Sequence, residues 1–468
     1  MLRQRTILFF LIVLSFKMTA QSSEWKSTGM PFYGRQVRYI YNDTLNNLLY
    51  VSGQIMVTPT SFSTQRVCKY DGSTWTSLGI FDDQVLSVVN YKGDLIVAGF
   101  FHNISGVPYF SIARYDGSSW HPMGNFDIEV TQLRVIDTNL YAMGYFNSVD
   151  GIPAKRIAKW NGSIWTDVHG FSADTMDGHI EDVAIYKGNT YVCGNFSDSA
   201  HGINHLAVYK SGSWQNVGGG ILGSWTDLTK LVVYQNQLHL CGRFLKPDGN
   251  IGNGIQKWND TIWSEVGAGV QDFSGSYGST GTIIYDATIH NNELYIAGCF
   301  GYAGHVPTYC AAKWDGLKWC GLATTGLLTN ITTAINFYND TLYLGIANDT
   351  LNGVFTNRIL KYVAGNYVDT CSINYTGINE SQINNESLNI YPNPATNHIA
   401  IEFDLAETKN TSIEIKNVLG QTIKTISNKV FSKGTNKIEI DVSEFSNGIY
   451  FVELLGDNKV IGKKIIKQ

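Results

Sequence analysis

Charged residues are scarce in this chain, and long apolar runs are nearly absent. Of the 468 residues, 16% are charged and 13% are aromatic, and the formal net charge is −5. No polybasic tract occurs, which argues against binding to nucleic acid or to an anionic membrane. The GxSxG, HExxH and phosphate-binding-loop motifs are also missing, so no common local signature of catalysis is present.

The longest early apolar run covers residues 7–16 and follows Arg3 and Arg5. A run of about ten residues is too short to span a bilayer, which needs about twenty. Ala20 then offers a small residue for cleavage before Gln21. We therefore predict a secretory signal peptide over residues 1–20, with a membrane anchor as the alternative, and no membrane span after its removal.

The seven cysteines show no CxxC spacing, so we predict neither a metal nor a cofactor. Cys68, Cys193 and Cys241 occupy repeat positions where other copies carry small residues, which predicts buried core side chains. Cys310 and Cys320 flank one predicted hairpin, and a disulfide between them in an oxidising compartment is left open.

A unit of about 45–55 residues recurs seven times between Trp25 and Tyr367. One copy comprises residues 130–136, residues 140–146, residues 156–162 and Trp165. Each unit has four short segments rich in β-branched and aromatic residues, separated by turn residues. Residues 21–370 are thus predicted to form an all-β fold, a seven-bladed β-propeller of four-stranded antiparallel blades.

Closure of the predicted ring has two solutions. Residues 25–29 form an additional fourth-type strand, with no first three strands before it. Residues 367–370 could complete the last blade from the other end of the chain instead. The sequence does not choose between them.

The repeat resembles the kelch family. Tyr115, Asp116 and Trp120 match the aromatic, Asp and Trp positions of a kelch unit. This chain has Gly-x-Phe where kelch units usually have a double glycine. The resemblance therefore supports the architecture and implies little about activity.

The composition changes after a polar stretch at residues 371–387, which is predicted to be a linker. Residues 388–468 contain ten lysines but no Trp, Cys or Arg. Alternating segments at residues 399–403, 412–416 and 437–441 predict half-buried strands. A small β-sandwich is the expected fold of this region.

This region is similar to the type A sorting domains of the type IX secretion system of Bacteroidetes. The matching positions are Tyr391, Pro392, Asn393, Pro394, Gly420, Gly448 and Tyr450. The resemblance implies the secretion machinery as a partner, with export through the periplasm. It also implies a secreted or outer-membrane surface location.

Antiparallel strand order places the loops between strands two and three, and between strands four and one, at the same end of the ring. Of eleven tryptophans, only Trp225 lies outside a repeat position. With Phe273 and Tyr277, it could stack on a sugar or peptide, or plug the ring. These loops are the predicted binding face.

Asp174, Asp177 and His179 lie in one loop of that face. Such groups can coordinate a cation or act as acid and base. Their spacing fits no known loop signature, and solvated polar side chains are the alternative. We assign no catalytic residue and no metal ligand.

The two modules and the missing catalytic motifs together predict an exported binding protein for a glycan or a protein. The alternative is a polysaccharide hydrolase or lyase whose acids come from different blades. A structural spacer is the third possibility.

Overall fold

The computed structural model describes residues 25–31, 33–56, 67–172, 178–276, 281–308, 310–322, 331–347, 350–351, 354–363, 388–405, 407–417, 422–456 and 459–468. The chain divides into two units, Met1–Ile373 and Asn374–Gln468. The predicted signal peptide, the predicted linker and the second closing candidate, residues 367–370, lie outside the described residues. Within these ranges, no helix has the length and apolarity required to cross a membrane.

The described part of the first unit contains seven four-stranded antiparallel sheets, numbered 1 to 7 along the chain. Sheets 1 to 3 comprise Tyr33–Asp43, Leu48–Met56, Cys68–Tyr70 and Trp75–Ser77; Val85–Tyr91, Asp94–Gly99, Ile112–Tyr115 and Trp120–Pro122; and Val130–Ile136, Asn139–Gly144, Ile157–Trp160 and Trp165–Asp167. Sheets 4 and 5 comprise His179–Tyr186, Asn189–Asp198, Ile203–Lys210 and Ser213–Asn216; and Asp227–Tyr234, Gln237–Arg243, Ile255–Trp258 and Trp263–Glu265. Sheets 6 and 7 comprise Ile283–His290, Glu293–Cys299, Ala311–Trp314 and Trp319–Gly321; and Thr332–Tyr338, Thr341–Ile346, Ile359–Tyr362 and Trp25–Ser27.

Short ribbons lie in the connections between the second and third strands, and one of them includes Val270–Gln271 from the connection between sheets 5 and 6. They are Asn103–Ile104 with Val107–Pro108, Ser148–Val149 with Ile152–Pro153, Thr350–Leu351 with Val354–Phe355, and a three-stranded ribbon of Val270–Gln271, Tyr302–Ala303 and Val306–Pro307. Two single turns of 3-10 helix, Ser199–His201 and Lys246–Asp248, lie in the corresponding connections of sheets 4 and 5. Isolated bridges join Phe81 to Ile104 and Phe126 to Val149. The two loop types therefore meet at one end of the ring, as the strand order predicts.

The sheets form a closed ring, which is the arrangement of a β-propeller. The first strand of each sheet contacts the first strand of the next, and the first strand of sheet 7 contacts that of sheet 1. Asn336 donates a hydrogen bond to the Ile40 carbonyl across this last junction, at 2.9 Å. Trp25–Ser27 pairs with Ile359–Tyr362 as the fourth strand of sheet 7. Of the two closing candidates, the N-terminal strand is the one observed.

The repeat tryptophans join neighbouring sheets. In sheets 1 to 6, the indole N–H of the tryptophan in the fourth strand donates to a carbonyl at the end of the preceding sheet, for example from Trp120 to Leu78 at 3.0 Å and from Trp165 to Met123 at 3.1 Å. Trp75, Trp214, Trp263 and Trp319 repeat the contact. A buried indole needs such an acceptor, so these residues are structural, as predicted.

A β-bulge interrupts the first strand of every sheet. The additional residues are Arg38, Leu86, Thr131, Glu181, Thr229, Tyr285 and Thr333. In six sheets the residue before the bulge faces a glycine, namely Gly53, Gly99, Gly144, Gly194, Gly242 or Gly298; sheet 7 has Ile346 there. A Cβ on Gly99 would lie 2.1 Å from the Gln84 carbonyl oxygen. The repeat glycine is therefore required by the close approach of the bulged strand.

The second unit contains two antiparallel sheets. The three-stranded sheet has the order Leu388–Tyr391, His398–Leu405 and Gly434–Asp441. The four-stranded sheet has the order Thr422–Phe431, Lys409–Asn417, Gly448–Gly456 and Lys459–Lys467. Ile401 and Phe403 of the first sheet share one buried core with Ile413, Val452 and Ile465 of the second. The predicted β-sandwich is confirmed.

Among the predicted sorting-motif residues, Tyr391 ends the first strand of this unit and donates a hydrogen bond to Glu402 at 2.9 Å. Asn393 accepts one from the Ile466 N–H at 2.9 Å. Tyr450 is buried and donates to the Ser446 carbonyl at 2.9 Å. Pro392 and Pro394 lie in the turn between the first two strands, Gly448 begins the strand that carries Tyr450, and Gly420 lies outside the described residues.

The structure confirms the prediction for three cysteines and decides the question left open for Cys310 and Cys320. Cys68, Cys193 and Cys241 are fully buried in the cores between the sheets, as expected of small core residues. Cys320 takes part in a disulfide bond, whereas Cys310 carries a thiol whose pKa is raised to about 12 by burial. A disulfide between Cys310 and Cys320 is therefore ruled out.

The bulge contact predicts a large penalty for Gly99→Ala. The added methyl group would overlap the backbone of the first strand, so the stability should fall by about 3 kcal/mol. Gly106→Ala is the matched control, because Gly106 has φ +84° and open space around it. This control should lose only about 1 kcal/mol, from left-handed backbone strain. Denaturant unfolding of both variants measures the difference, and equal losses would contradict the role of the close approach.

Candidate functional site

The seven bulge residues line one cavity of about 290 Å³ at the end of the central channel where the longer loops lie. A bulge re-aims the additional side chain, and here each sheet turns one such side chain into the same space. Cavities of this size with convergent polar groups are typical binding sites. We call this cavity with its rim the channel mouth.

Three of the bulge residues are threonines that serve the scaffold. Thr229 donates a hydrogen bond to the Ile284 carbonyl of the next sheet at 2.7 Å, and Thr333 donates likewise to the Val37 carbonyl. Thr131 donates to the Met143 carbonyl of its own sheet at 3.4 Å. Of the remaining four bulge residues, Leu86 is apolar. Arg38, Glu181 and Tyr285 are thus the ionisable residues at the seven bulge positions.

The residue between glycine and phenylalanine in a Gly-x-Phe segment also lines the channel mouth in sheets 2 and 3. Phe100 and Tyr145 line the cavity at this position, and Arg243 occupies it in sheet 5. The phenylalanines of the same segments point the other way and are buried. They are Phe101, Phe146, Phe196, Phe244 and Phe300. Alternation along the strand thus separates a packing residue from a lining residue.

Two acids of adjacent sheets lie in the channel mouth, each next to a basic group. Glu181 is 2.8 Å from Nε2 of His179, and Asp227 is 3.4 Å from a guanidinium nitrogen of Arg243. Burial and the nearby Glu181 raise the pKa of Asp227, although Arg243 opposes the shift. Both basic groups still have unused donors or acceptors: within the described ranges, the buried His179 Nδ1 and Arg243 Nε make no hydrogen bond.

Arg38 reaches the mouth from the opposite part of the ring, on sheet 1. Its side chain is accessible because it projects into the channel, yet the surrounding walls lower its pKa through partial burial. Tyr285 and Glu181 are the charged or ionisable groups near enough to oppose this shift. In the described part of the chain, the Arg38 side chain makes no hydrogen bond or ion pair.

A second set of charged side chains forms the floor of the channel mouth. Arg134 is 3.2 Å from Asp182, and Lys230 is 3.3 Å from Asp286. Burial alone would lower the pKa of Lys230, but Asp286 and Tyr39 raise it above its ordinary value. Both carboxylates also accept backbone N–H groups of the next sheet, at 2.9 and 3.0 Å. These ions therefore compensate each other and hold the sheets together.

Trp225 lies beside this mouth. Its side chain is 69% exposed and lines a small depression of about 150 Å³ together with Arg243 and Asp248. Arg243 therefore connects the exposed indole to the acid pair. An exposed aromatic face next to charged hydrogen-bonding groups can stack on one part of a ligand while the polar groups bind another.

The other predicted site residues are only partly assembled. Phe273 is 46% exposed but makes no ring contact with Trp225. His179 is one member of the acid and base cluster of the mouth. Asp174, Asp177 and Tyr277 lie outside the described residues. Within the described ranges, no group of three His, Cys, Asp or Glu side chains could hold a metal ion.

Sequence reasoning missed Arg38, Glu181, Asp227 and Arg243 as a group. Two features of the sequence mark these positions. Glu181 and Asp182 interrupt an otherwise apolar first segment, and the residue after the repeat glycine varies while its neighbours do not. Only the bulge shows that these positions from distant units face one space.

Residues 389–468 match the family model described as a secretion system C-terminal sorting domain. This confirms the predicted sorting domain. The chain is accordingly a secreted or cell-surface protein that interacts with the secretion machinery. No relative is found among curated proteins.

The solved structures that are similar to this chain are distant. One is PorZ, described as an essential bacterial surface component of the type-IX secretion system of Porphyromonas gingivalis, with 12% identity and a TM-score of 0.43. The alignment covers 93% of this chain and 59% of PorZ, so the chain spans little more than half of that protein. A Bacteroides thetaiotaomicron protein of unknown function has 11% identity and a TM-score of 0.33, with coverage of 72% and 98%. An exo-β-1,3-galactanase of Phanerochaete chrysosporium has 12% identity and a TM-score of 0.26, with coverage of 71% and 94%.

The raised pKa of Asp227 predicts that Asp227→Asn stabilises the fold near neutral pH. A carboxyl group with a raised folded-state pKa favours folding when protonated, so its ionised form costs stability once the pH exceeds that pKa. The melting temperature at pH 7 should therefore rise by roughly 2 °C. The gain should shrink as the pH falls towards 4, because the folded-state carboxyl of Asp227 becomes protonated before the unfolded-state one does. Scanning calorimetry at both pH values measures this, and a loss of stability at pH 7 would contradict it.

Proposed function

We propose that this exported protein binds glycans at the channel mouth, with Trp225 as the stacking surface. The observation that carries the proposal is the exposed indole beside Arg243, which itself reaches the acid pair. A sugar ring offers an apolar face to an aromatic side chain and hydroxyl groups to charged partners. The mouth provides both kinds of surface next to each other.

The polar groups of the mouth suit hydroxyl recognition. Glu181 and Asp227 accept hydrogen bonds, Arg38 and Arg243 donate them, and Tyr285 can do either. A charged partner makes such a bond stronger than a neutral one does. The variety of side chains at equivalent bulge positions gives the mouth an asymmetric set of contacts, which favours one ligand orientation.

We further infer that export follows the type IX route, with residues 1–20 removed as a signal peptide. On this scheme residues 21–370 form a seven-bladed kelch-like propeller, residues 371–387 a linker and residues 388–468 the sorting domain. Support for the kelch likeness comes from Asp116, whose carboxylate accepts the N–H groups of Ser118 and Ser119 at 2.9 and 2.8 Å. The turn before Trp120 is thus closed by the aspartate of the matched position.

Trp225→Ala should weaken glycan binding by roughly tenfold or more, since one aromatic stacking contact is lost. The melting temperature should stay near the wild-type value because the side chain is largely exposed. Leu317→Ala is the control: it removes a 90% exposed apolar side chain from a hairpin at the opposite end of the ring. A glycan array followed by calorimetry of the full chain measures both effects. Undiminished binding by the Trp225 variant would contradict this site.

Hydrolysis of a glycosidic bond is a second candidate function. The observation that favours it is the raised pKa of Asp227 with Glu181 in the same cavity. A carboxylic acid that keeps its proton can protonate the leaving oxygen, while a nearby carboxylate activates water or attacks the sugar carbon. Two acids from adjacent sheets would carry out this reaction without any local sequence motif.

Reducing-sugar release from a polysaccharide panel distinguishes the two candidates. If the mouth is a hydrolase, Glu181→Gln and Asp227→Asn should each reduce turnover by at least about a hundredfold, since each removes an acid or base. Asp94→Asn is the control, because Asp94 pairs with Arg114 at 2.6 Å at the other end of the sheets. Binding without any turnover by the wild type would exclude the hydrolase for those glycans.

A further inference from the structure

The charged side chains of the channel mouth differ in whether they have a partner. Glu181 is next to His179, and Asp227 is next to Arg243. In the floor beneath them, Asp182 offsets Arg134 and Asp286 offsets Lys230. The Arg38 side chain has no hydrogen bond or ion pair within the described ranges, so its guanidinium donors remain available to a ligand.

Arg38 is positioned to contact a ligand in the cavity. It occupies the bulge position of sheet 1, so the backbone directs it into the mouth. Its partial burial weakens its hydration, and a guanidinium in that setting binds an anion more strongly than one in bulk water does. Arg243 lines the depression beside Trp225, and within the described ranges its buried Nε makes no hydrogen bond.

We propose that the ligand of the channel mouth is an acidic saccharide whose anionic group binds Arg38. This inference rests on the proposed glycan-binding function and adds the ligand class. The sugar ring would stack on Trp225 while the carboxylate or sulfate accepts hydrogen bonds from the guanidinium. A planar guanidinium matches either anion through two parallel N–H donors.

The acidic residues of the mouth are consistent with this class. Burial raises the pKa of Asp227, and Arg243 offsets the charge when Asp227 is ionised. Glu181 has His179 at 2.8 Å. An anion bound at Arg38 contacts the guanidinium directly, while the carboxyl groups of Glu181 and Asp227 can accept hydrogen bonds from sugar hydroxyls.

Calorimetric titration of the full chain tests the inference with matched sugars. The probes are uronic-acid oligosaccharides and sulfated oligosaccharides, each beside its neutral form made by carboxyl reduction or desulfation. We expect at least one acidic form to bind about 10- to 100-fold more tightly than its neutral form, the effect of one charge-assisted contact. Arg38→Gln should remove most of that difference.

Two controls separate the contributions. Arg114→Gln removes the same charge from an exposed ion pair at the hairpin end of sheet 2, and it should leave binding unchanged. Trp225→Ala should weaken acidic and neutral forms alike. Added salt should reduce the advantage of the acidic form, since screening acts on the charged contact.

The outcomes distinguish this inference from the proposed function. Equal binding of acidic and neutral forms, lost in Trp225→Ala but not in Arg38→Gln, overturns the ligand class and leaves glycan binding intact. Failure to bind any saccharide overturns both. An acidic preference that persists in a folded Arg38→Gln variant overturns the role of Arg38.

Discussion

The first unit depends on one backbone contact, the approach of a bulged first strand to a glycine in the second strand. A Cβ at Gly194 would lie 2.3 Å from the His179 carbonyl oxygen, and one at Gly298 would lie 2.1 Å from that of Ile283. In six of the seven sheets this glycine makes room for the bulged strand, and in all seven the bulge turns one residue into the channel. Packing of the sheets and composition of the channel mouth therefore follow from the same local geometry.

In the first strand, the bulge residue can line the site, whereas the residue after it can bond to the neighbouring sheet. In sheets 2, 4 and 6 the residue after the bulge accepts a backbone N–H of the next sheet: Ser87 from Leu133 at 3.1 Å, Asp182 from Leu231 at 2.9 Å and Asp286 from Ile335 at 3.0 Å. Such bonds satisfy edge groups that would otherwise be costly to bury. In sheets 1, 4 and 6 the side chain of the bulge residue makes no such bond to the next sheet. Arg38, Glu181 and Tyr285 can therefore differ from one another without disrupting the packing of the ring.

Much of the fold could be predicted from the sequence because its causes are local and repeated. The period of the apolar segments, the turn residues and the tryptophans such as Trp120 and Trp165 each report a contact made within or beside one unit. The motif around Tyr391 likewise identifies the sorting domain. The site could not be predicted in the same way, since Arg38, Glu181 and Asp227 come from distant units. Their convergence depends on a register shift that the residue pattern does not reveal. The spacing of the cysteines likewise did not predict the disulfide of Cys320.

A crystal structure of the full chain with a bound acidic oligosaccharide tests the central claim most directly. The account predicts sugar density in the channel mouth, with the anionic group against Arg38 and a ring over Trp225. Density at the hairpin end of the ring or on the C-terminal sandwich, with an empty channel mouth, would contradict it.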